Sequence, residues 1–156
     1  MYQLKEDKVA NVTKQAYRIV IADWQTCRED ASLIRHEVFV IEQHVPLEQE
    51  LDERDVLCIH AVVYDEEGTP VATGRLLPDG HIGRMAVRKS ARGRGLGSVV
   101  LGRLIDEARK RGHLEVALAA QLHAKPFYAA HGFFAEGGVF QDAGIDHVNM
   151  RRILTA

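Results

Sequence analysis

At 156 residues the chain has the length of one domain with a substantial core, and its 46% hydrophobic and 27% charged content is that of a globular protein in water. A net charge of −2 gives no reason to expect a nucleic acid or a membrane surface as partner. Two cysteines, Cys27 and Cys58, provide neither a disulfide framework nor metal-ligand spacing, the N-terminus lacks the apolar run of a signal peptide, and no run approaches a membrane span, so a reduced, cytoplasmic setting is expected.

Residues 1–15 are polar without a clear period and are expected to form an arm. Residues 17–21 alternate and are β-rich, which predicts a first strand. Asp23 then offers a helix N-cap, and Ala31, Ile34, Arg35, Val38 and Phe39 make a helical stripe over about 25–40, long enough for two helices with a bend. Pro46 ends helix at or before Val45. Between Glu42 and Asp55 lie Glu42, Glu48, Glu50, Asp52, Glu53 and Asp55, against one arginine, Arg54. Two readings of this stretch stay open: a solvated acidic loop, or a mouth that attracts a cationic amine.

Strands are expected at 57–64, 71–77 and 81–87, joined by short turns with glycine and proline, which is the pattern of an antiparallel meander. Arg75 and Arg84 fall on these strands, where a charge faces solvent or a partner carboxylate. A basic, glycine-rich turn follows, and then Leu96, Val100, Leu104, Ile105 and Ala108 recur at helical spacing up to Arg109-Lys110-Arg111-Gly112. Residues 114–120 make a fifth strand, and the strand–helix–strand crossover makes strands four and five parallel. Pro126 opens a short helix that Gly132 ends, and 133–140 and 146–154 are two closing strands.

The turn after the fourth strand carries Arg88, Lys89, Arg92 and Arg94 with Gly93, Gly95 and Gly97. Glycines let the backbone approach a ligand closely, and the first amides of the following helix lack internal partners, so the junction suits a phosphate or pyrophosphate. A dinucleotide fold would need G-x-G-x-x-G and an acid about 20 residues later, and a P-loop would need G-K-[ST]; neither is present. The pattern Arg92-x-x-Gly95-x-Gly97 after Met85-Ala86-Val87 resembles the acyl-CoA pyrophosphate loop of the GNAT superfamily of N-acetyltransferases. A second motif agrees: Gln121-x-x-Ala124-x-x-x-Tyr128-x-x-x-Gly132-Phe133 is similar to the family's N-x-x-A-x-x-x-Y-x-x-x-G-F, with Gln121 replacing the usual asparagine. The segment Val38-Phe39-Val40-Ile41-Glu42-Gln43-His44-Val45-Pro46 and the ending His147-Val148-Asn149-Met150 resemble the ElaA/YjcF-like branch.

The resemblance implies an α/β (α+β) GNAT domain over residues 16–156, after an arm at 1–15. Its central sheet would be mixed, mostly antiparallel and of about seven strands, with strands four and five parallel and splayed and about four flanking helices. It also implies transfer of an acetyl group from acetyl-CoA to a primary amine of a small molecule or peptide, expected to be cationic, without a metal. By this resemblance the backbone of Met85, Ala86 and Val87 holds pantetheine and acetyl. Arg92 and the amides of Gly93, Arg94, Gly95, Leu96, Gly97 and Ser98 hold pyrophosphate, and Gln121 lies by the pantetheine. Tyr128 is the candidate general acid; a phenol near pKa ~10 donating to a thiolate near ~8.5 is uphill by only about 2 kcal/mol. Glu42 and His60 are candidate bases, and His147 a candidate wall of the acceptor cleft. A homodimer through the last strands is the candidate assembly. The second functional class is a CoA-binding sensor or interaction module that has lost transfer.

Overall fold

The structure is a computed structural model that describes residues 5–10 and 16–154. Among the described residues eight strands form two sheets. The larger is antiparallel and runs β1 (Lys5–Ala10), β2 (Ala16–Ala22), β3 (Ile59–Tyr64), β4 (Pro70–Leu76), β5 (Ile82–Val87) in spatial as in chain order. The smaller has β6 (Glu115–Gln121), β8 (Ile145–Ile153) and β7 (Phe134–Asp142), with β8 in the middle. This corrects the expectation of one continuous sheet of about seven strands. The fourth and fifth expected strands, β5 and β6, meet only through an isolated parallel bridge from His81 to Ala117, where the Ala117 N–H donates to the Gly80 carbonyl at 3.2 Å. Beyond that bridge the two edges make no ladder, and a cleft occupies the space between them.

Part of the span expected as an arm, 1–15, is described. Residues 5–10 pair with β2 from Lys5 opposite Ile21 to Ala10 opposite Ala16; the rest of that span lies outside the described residues. An edge strand needs only backbone partners on one side, so a polar sequence without periodicity can supply one.

Two helices cover the large sheet, one on each face. Asp23 accepts the Thr26 N–H at 3.0 Å and so starts α1 (Trp24–Arg35). Its buried residues Cys27, Ala31 and Ile34 pack with Val20, Ala22, Val62 and Ala86. The expected bend is instead a change of winding, because His36–Glu42 continues the helix as a π-helix closed by the Gln43 N–H on the Val38 carbonyl. The wider turn keeps Val38 in the core while Phe39, Glu42 and Gln43 line the cleft. A one-turn α2 (Leu47–Glu50) follows. On the other face lies α3 (Leu96–Lys110), whose Leu96, Val100, Leu101, Leu104, Ile105 and Ala108 are buried against Ile19, Ile21, Ala61 and Val63. Gly74 makes this packing possible: a Cβ there would lie 2.7 Å from Met85 Sδ and 2.8 Å from Val100 Cγ1. The last helix, α4 (Lys125–Ala130), begins with Pro126 in its first turn. Both cysteines are buried and burial raises their thiol pKa values, to about 12 for Cys27 and about 11 for Cys58. Among the described residues no helix is long and apolar enough to cross a membrane.

Candidate active site

The cleft is built first by β5. Its register against β4 jumps between Thr73–Ala86 and Arg75–Gly83, so that Arg84 and Met85 together oppose Gly74. This is a β-bulge, and Arg84 takes φ 49, in the left-handed region. The extra residue changes which way the strand faces. Ile82 and Met85 both pack on the α3 side, although a strict period of two would separate them. At the strand's end the Arg88 N–H donates to the Val71 carbonyl at 2.8 Å, so alternation turns the Met85 and Val87 amide and carbonyl groups to the other edge, toward the cleft. The Val87 carbonyl there accepts Arg92 Nε at 2.9 Å.

The glycine loop ends this edge. Gly93 and Gly95 have φ 79 and 77, which glycine alone adopts without strain, and Gly95 occupies the N-cap of α3 with no side-chain cap. Among the described residues the amides of Leu96, Gly97 and Ser98 have no acceptor. The side chains differ from expectation. Arg88 is bidentate on Glu37 at 2.7 and 2.9 Å, and Arg92 is bidentate on Glu42 at 2.6 and 2.7 Å. Arg94 donates to the Tyr17 hydroxyl at 3.1 Å. The loop's attraction for an anion therefore rests on its backbone more than on its arginines. Of the expected loop residues, Arg92 and Gly97 reach the cleft wall; Leu96 is buried in the core, and Gly93, Arg94, Gly95 and Ser98 lie beyond the wall.

The opposite wall comes from β6, α4 and β8. Gln121 exchanges amide hydrogen bonds with Gln43, at 2.8 and 3.3 Å, joining the π-helix to the end of β6 across the cleft. The Gln121 side chain is long enough to span that gap. Tyr128 lines the cleft; its ring meets Phe127 and Phe133 edge-on at 5.0 and 5.9 Å. Its hydroxyl has no hydrogen-bond partner among the described residues, and burial pushes its pKa up to about 12. His147 lines the same cleft, its Nδ1 2.7 Å from the Ile145 carbonyl.

The far end of the cleft holds much of the acidic stretch, as neither solvated loop nor open mouth. Arg35, 2% exposed, is bidentate on Asp55 at 2.9 and 3.0 Å and also bonds Glu50. Arg75 bonds Asp55 at 2.8 Å and Asp52 at 2.7 Å, and Arg54 closes on Asp52. Burial pushes the Asp55 carboxyl up, but Arg35 and Arg75 more than reverse this and hold it below the usual range. Of the two candidate bases, only Glu42 lines the cleft, and Arg92 lowers its pKa. His60 does not reach it. The ring is 1% exposed, lies tilted against Trp24 with centroids 4.7 Å apart and bonds the Asp55 carbonyl at 2.9 Å, and burial lowers its pKa to about 4. Arg84, Gln43, Phe39 and Phe127 line the cleft without having been assigned to it from sequence. The available signal was the pair Arg75 and Arg84 on otherwise apolar strands near a dense run of acids.

The cleft measures about 830 Å³, within the range of sites that enclose a cofactor-sized ligand. Among the described residues no cluster of histidine, cysteine or carboxylates is placed to hold a metal. The sequence profile of the acetyltransferase (GNAT) domain matches residues 10–154. The uncharacterized N-acetyltransferase YjcF of Bacillus subtilis strain 168 is 40% identical over 139 residues, which cover 86% of this chain and 99% of YjcF. Among solved structures, an acyl-CoA N-acyltransferase from Pseudomonas aeruginosa superposes with a TM-score of 0.76 at 28% identity, over 96% of this chain and 99% of that one. Escherichia coli ElaA superposes with a TM-score of 0.72 at 23% identity, over 96% and 99% of the two chains. With its bulged β5, its glycine loop at the start of α3 and its cleft between two diverging strands, the chain belongs to the GNAT acetyltransferase family and is similar to YjcF over most of its length.

Proposed function

We propose that the protein transfers an acetyl group from acetyl-CoA directly to a primary amine bound in the same cleft. The observation that carries this reading is the opposition of the β5 edge, ending in the glycine loop, to the unpartnered hydroxyl of Tyr128 on α4. Pantetheine lies along the open edge at Met85 and Val87, with Ala86 between them, as an added strand would. Pyrophosphate meets the amides of Leu96, Gly97 and Ser98 at the positive end of α3. A β5 amide polarises the thioester carbonyl and stabilises the oxyanion that forms when the amine attacks. The C–N bond forms, the C–S bond breaks, the departing thiolate takes a proton from Tyr128, and the protons lost by the amine nitrogen leave through water, one of them restoring the Tyr128 phenol. At a pKa of about 12 the phenol is protonated at neutral pH, as a general acid must be. Against a thiolate of ordinary pKa the transfer would be uphill by about 5 kcal/mol, but a thiolate desolvated in the same cleft is raised by the same cause, which narrows that gap.

The unpartnered hydroxyl also separates this reading from a CoA-binding sensor, which would have no use for a buried, protonated acid. The test is calorimetry with acetyl-CoA and with a truncated thioester lacking the nucleotide and pyrophosphate, followed by turnover of Tyr128→Phe. Whole acetyl-CoA binds and the truncated thioester does not. Tyr128→Phe binds acetyl-CoA with wild-type affinity but turns over about 10² to 10⁴ times more slowly. Unchanged turnover would remove Tyr128 from the mechanism, and tight cofactor binding with no transfer to any amine would favour the sensor.

A further inference from the structure

At the far end of the cleft, four arginines (Arg35, Arg54, Arg75 and Arg84) share three carboxylates (Glu50, Asp52 and Asp55). The sharing is unequal. Arg35 and Arg75 each bond two of the carboxylates, and Arg54 closes on Asp52 at 2.9 Å. Arg84 approaches Asp52 only to 3.6 Å, and its Nη2 makes long bonds to the Gln49 and Glu50 carbonyls at 3.4 and 3.3 Å. Its Nε is buried and has no hydrogen-bond partner among the described residues. The side chain is a quarter exposed, lines the cleft, and rises from the bulge residue at φ 49, a backbone position that a side chain occupies at a cost. Burial, then the charges of Arg75 and Arg35, lower its pKa against the opposing charges of Glu50 and Asp52. The carboxylates elsewhere on the wall are largely engaged: Glu42 by Arg92, Asp79 by His81 at 3.0 Å.

We propose that Arg84 binds a carboxylate of the acceptor, so that the acceptor is an amine that also carries an acid, an amino acid, and not a purely cationic amine. A guanidinium presents a planar fork matched to a carboxylate, and a fork whose hydrogen bonds are long or missing gains most from a ligand that completes them. Arg84 directly precedes Met85, whose backbone faces the acyl position, so an anion held there tethers the amine beside the reacting carbonyl. This inference rests on the acyl-transfer reading of the same cleft.

The experiment uses the whole protein with CoA bound and matched pairs that differ only in the carboxylate: phenylalanine with phenethylamine, lysine with cadaverine, histidine with histamine. The Nε–Hε resonance of Arg84, assigned by its loss in Arg84→Lys, is followed in each titration, and kcat/KM is measured with acetyl-CoA. At least one amino acid shifts the resonance while its decarboxylated twin does not, and that amino acid is the better acceptor by about tenfold to a hundredfold, as a hydrogen bond to a charged group would give. Arg84→Gln removes the preference and leaves acetyl-CoA affinity within about twofold. No shift with any amino acid, equal shifts within every pair, or a preference that survives Arg84→Gln overturns the inference while leaving acyl transfer standing. A protein that does not bind acetyl-CoA overturns the acyl-transfer reading and this inference with it.

Discussion

The two ends of the cleft are made of different materials. The end proposed for the acyl group is backbone: the open edge of β5, two left-handed glycines and the first amides of α3. The end proposed for the acceptor is side chain: arginines from α1, β4 and β5 meeting acids from α2 and from the segment between α2 and β3. A backbone site is specified by a few neighbouring residues and binds what every member of a family shares. A side-chain site is assembled from distant positions, neutralises most of its own charge, and selects through what remains.

That contrast breaks most visibly at Asp55. It is 3% exposed and serves Arg35 and Arg75 at once. Asp55→Ala leaves two buried guanidinium groups short of a partner, which costs about 3–5 kcal/mol of stability in denaturant unfolding. A loss below about 1 kcal/mol would mean that water replaces the carboxylate and that the acceptor end is not held by its ion pairs.

His60, beside the same cluster, sharpens the point through pH. Its pKa is about 4 in the folded protein against an ordinary 6.5. Below pH ~6.5 the unfolded chain therefore takes up a proton that the folded chain refuses, and stability falls with pH. His60's contribution is complete above ~6.5 and is lost as pH drops through about 4, a total of about 3 kcal/mol. His60→Gln flattens the stability profile across that window. If the variant tracks wild type, the ring is accessible to protons and its burial carries no penalty.

At the acyl end the expected effects on stability are smaller and those on binding larger. Gly95 has φ 77, and no atom lies within 4 Å of the position its Cβ would take. Gly95→Val therefore meets backbone strain without a clash inside the protein, about 1–2 kcal/mol. The added side chain also crowds the loop amides, so acetyl-CoA affinity falls by more than the stability loss accounts for. Wild-type affinity would place the pyrophosphate elsewhere.

This division also explains what could be read from sequence. The meander and the α3 stripe follow from local periodicity and turn residues, and the structure places their bounds within a residue or two of expectation; the glycine loop and Tyr128 were picked out by short motifs. The separation into two sheets was not legible, because it depends on which strand edges leave each other beyond the His81–Ala117 bridge. Neither was β1, whose backbone ladder to β2 requires no apolar period in its sequence. The π-helix at His36–Glu42 keeps the apolar spacing of an α-helix well enough to hide the extra residue per turn. His60 looked available as a base because a histidine on a strand carries no sign of which face will be covered. The acids at 42–55 could be read only as a solvated loop or an open mouth because their arginine partners, Arg35, Arg75 and Arg92, lie elsewhere in the chain.

Glu42 carries the smallest expected effect and the sharpest question about mechanism. It stands on the cleft wall, where a base for the incoming ammonium would stand, yet both its oxygens are taken by Arg92. The hydrogen bond and charge of Arg92 lower its pKa, and a carboxylate so held is a weaker base than a free one. As a pair more than a third exposed on both sides, it contributes less than about 1 kcal/mol to stability. Glu42→Gln therefore leaves unfolding nearly unchanged and slows turnover by less than about tenfold, with the proton leaving through water. The substitution also releases Arg92 toward the loop, so acetyl-CoA binds as tightly or more tightly. A fall in turnover of about 10² or more, with its lower pH limit abolished and stability intact, would instead make Glu42 the base and the Arg92 pair its positioning contact.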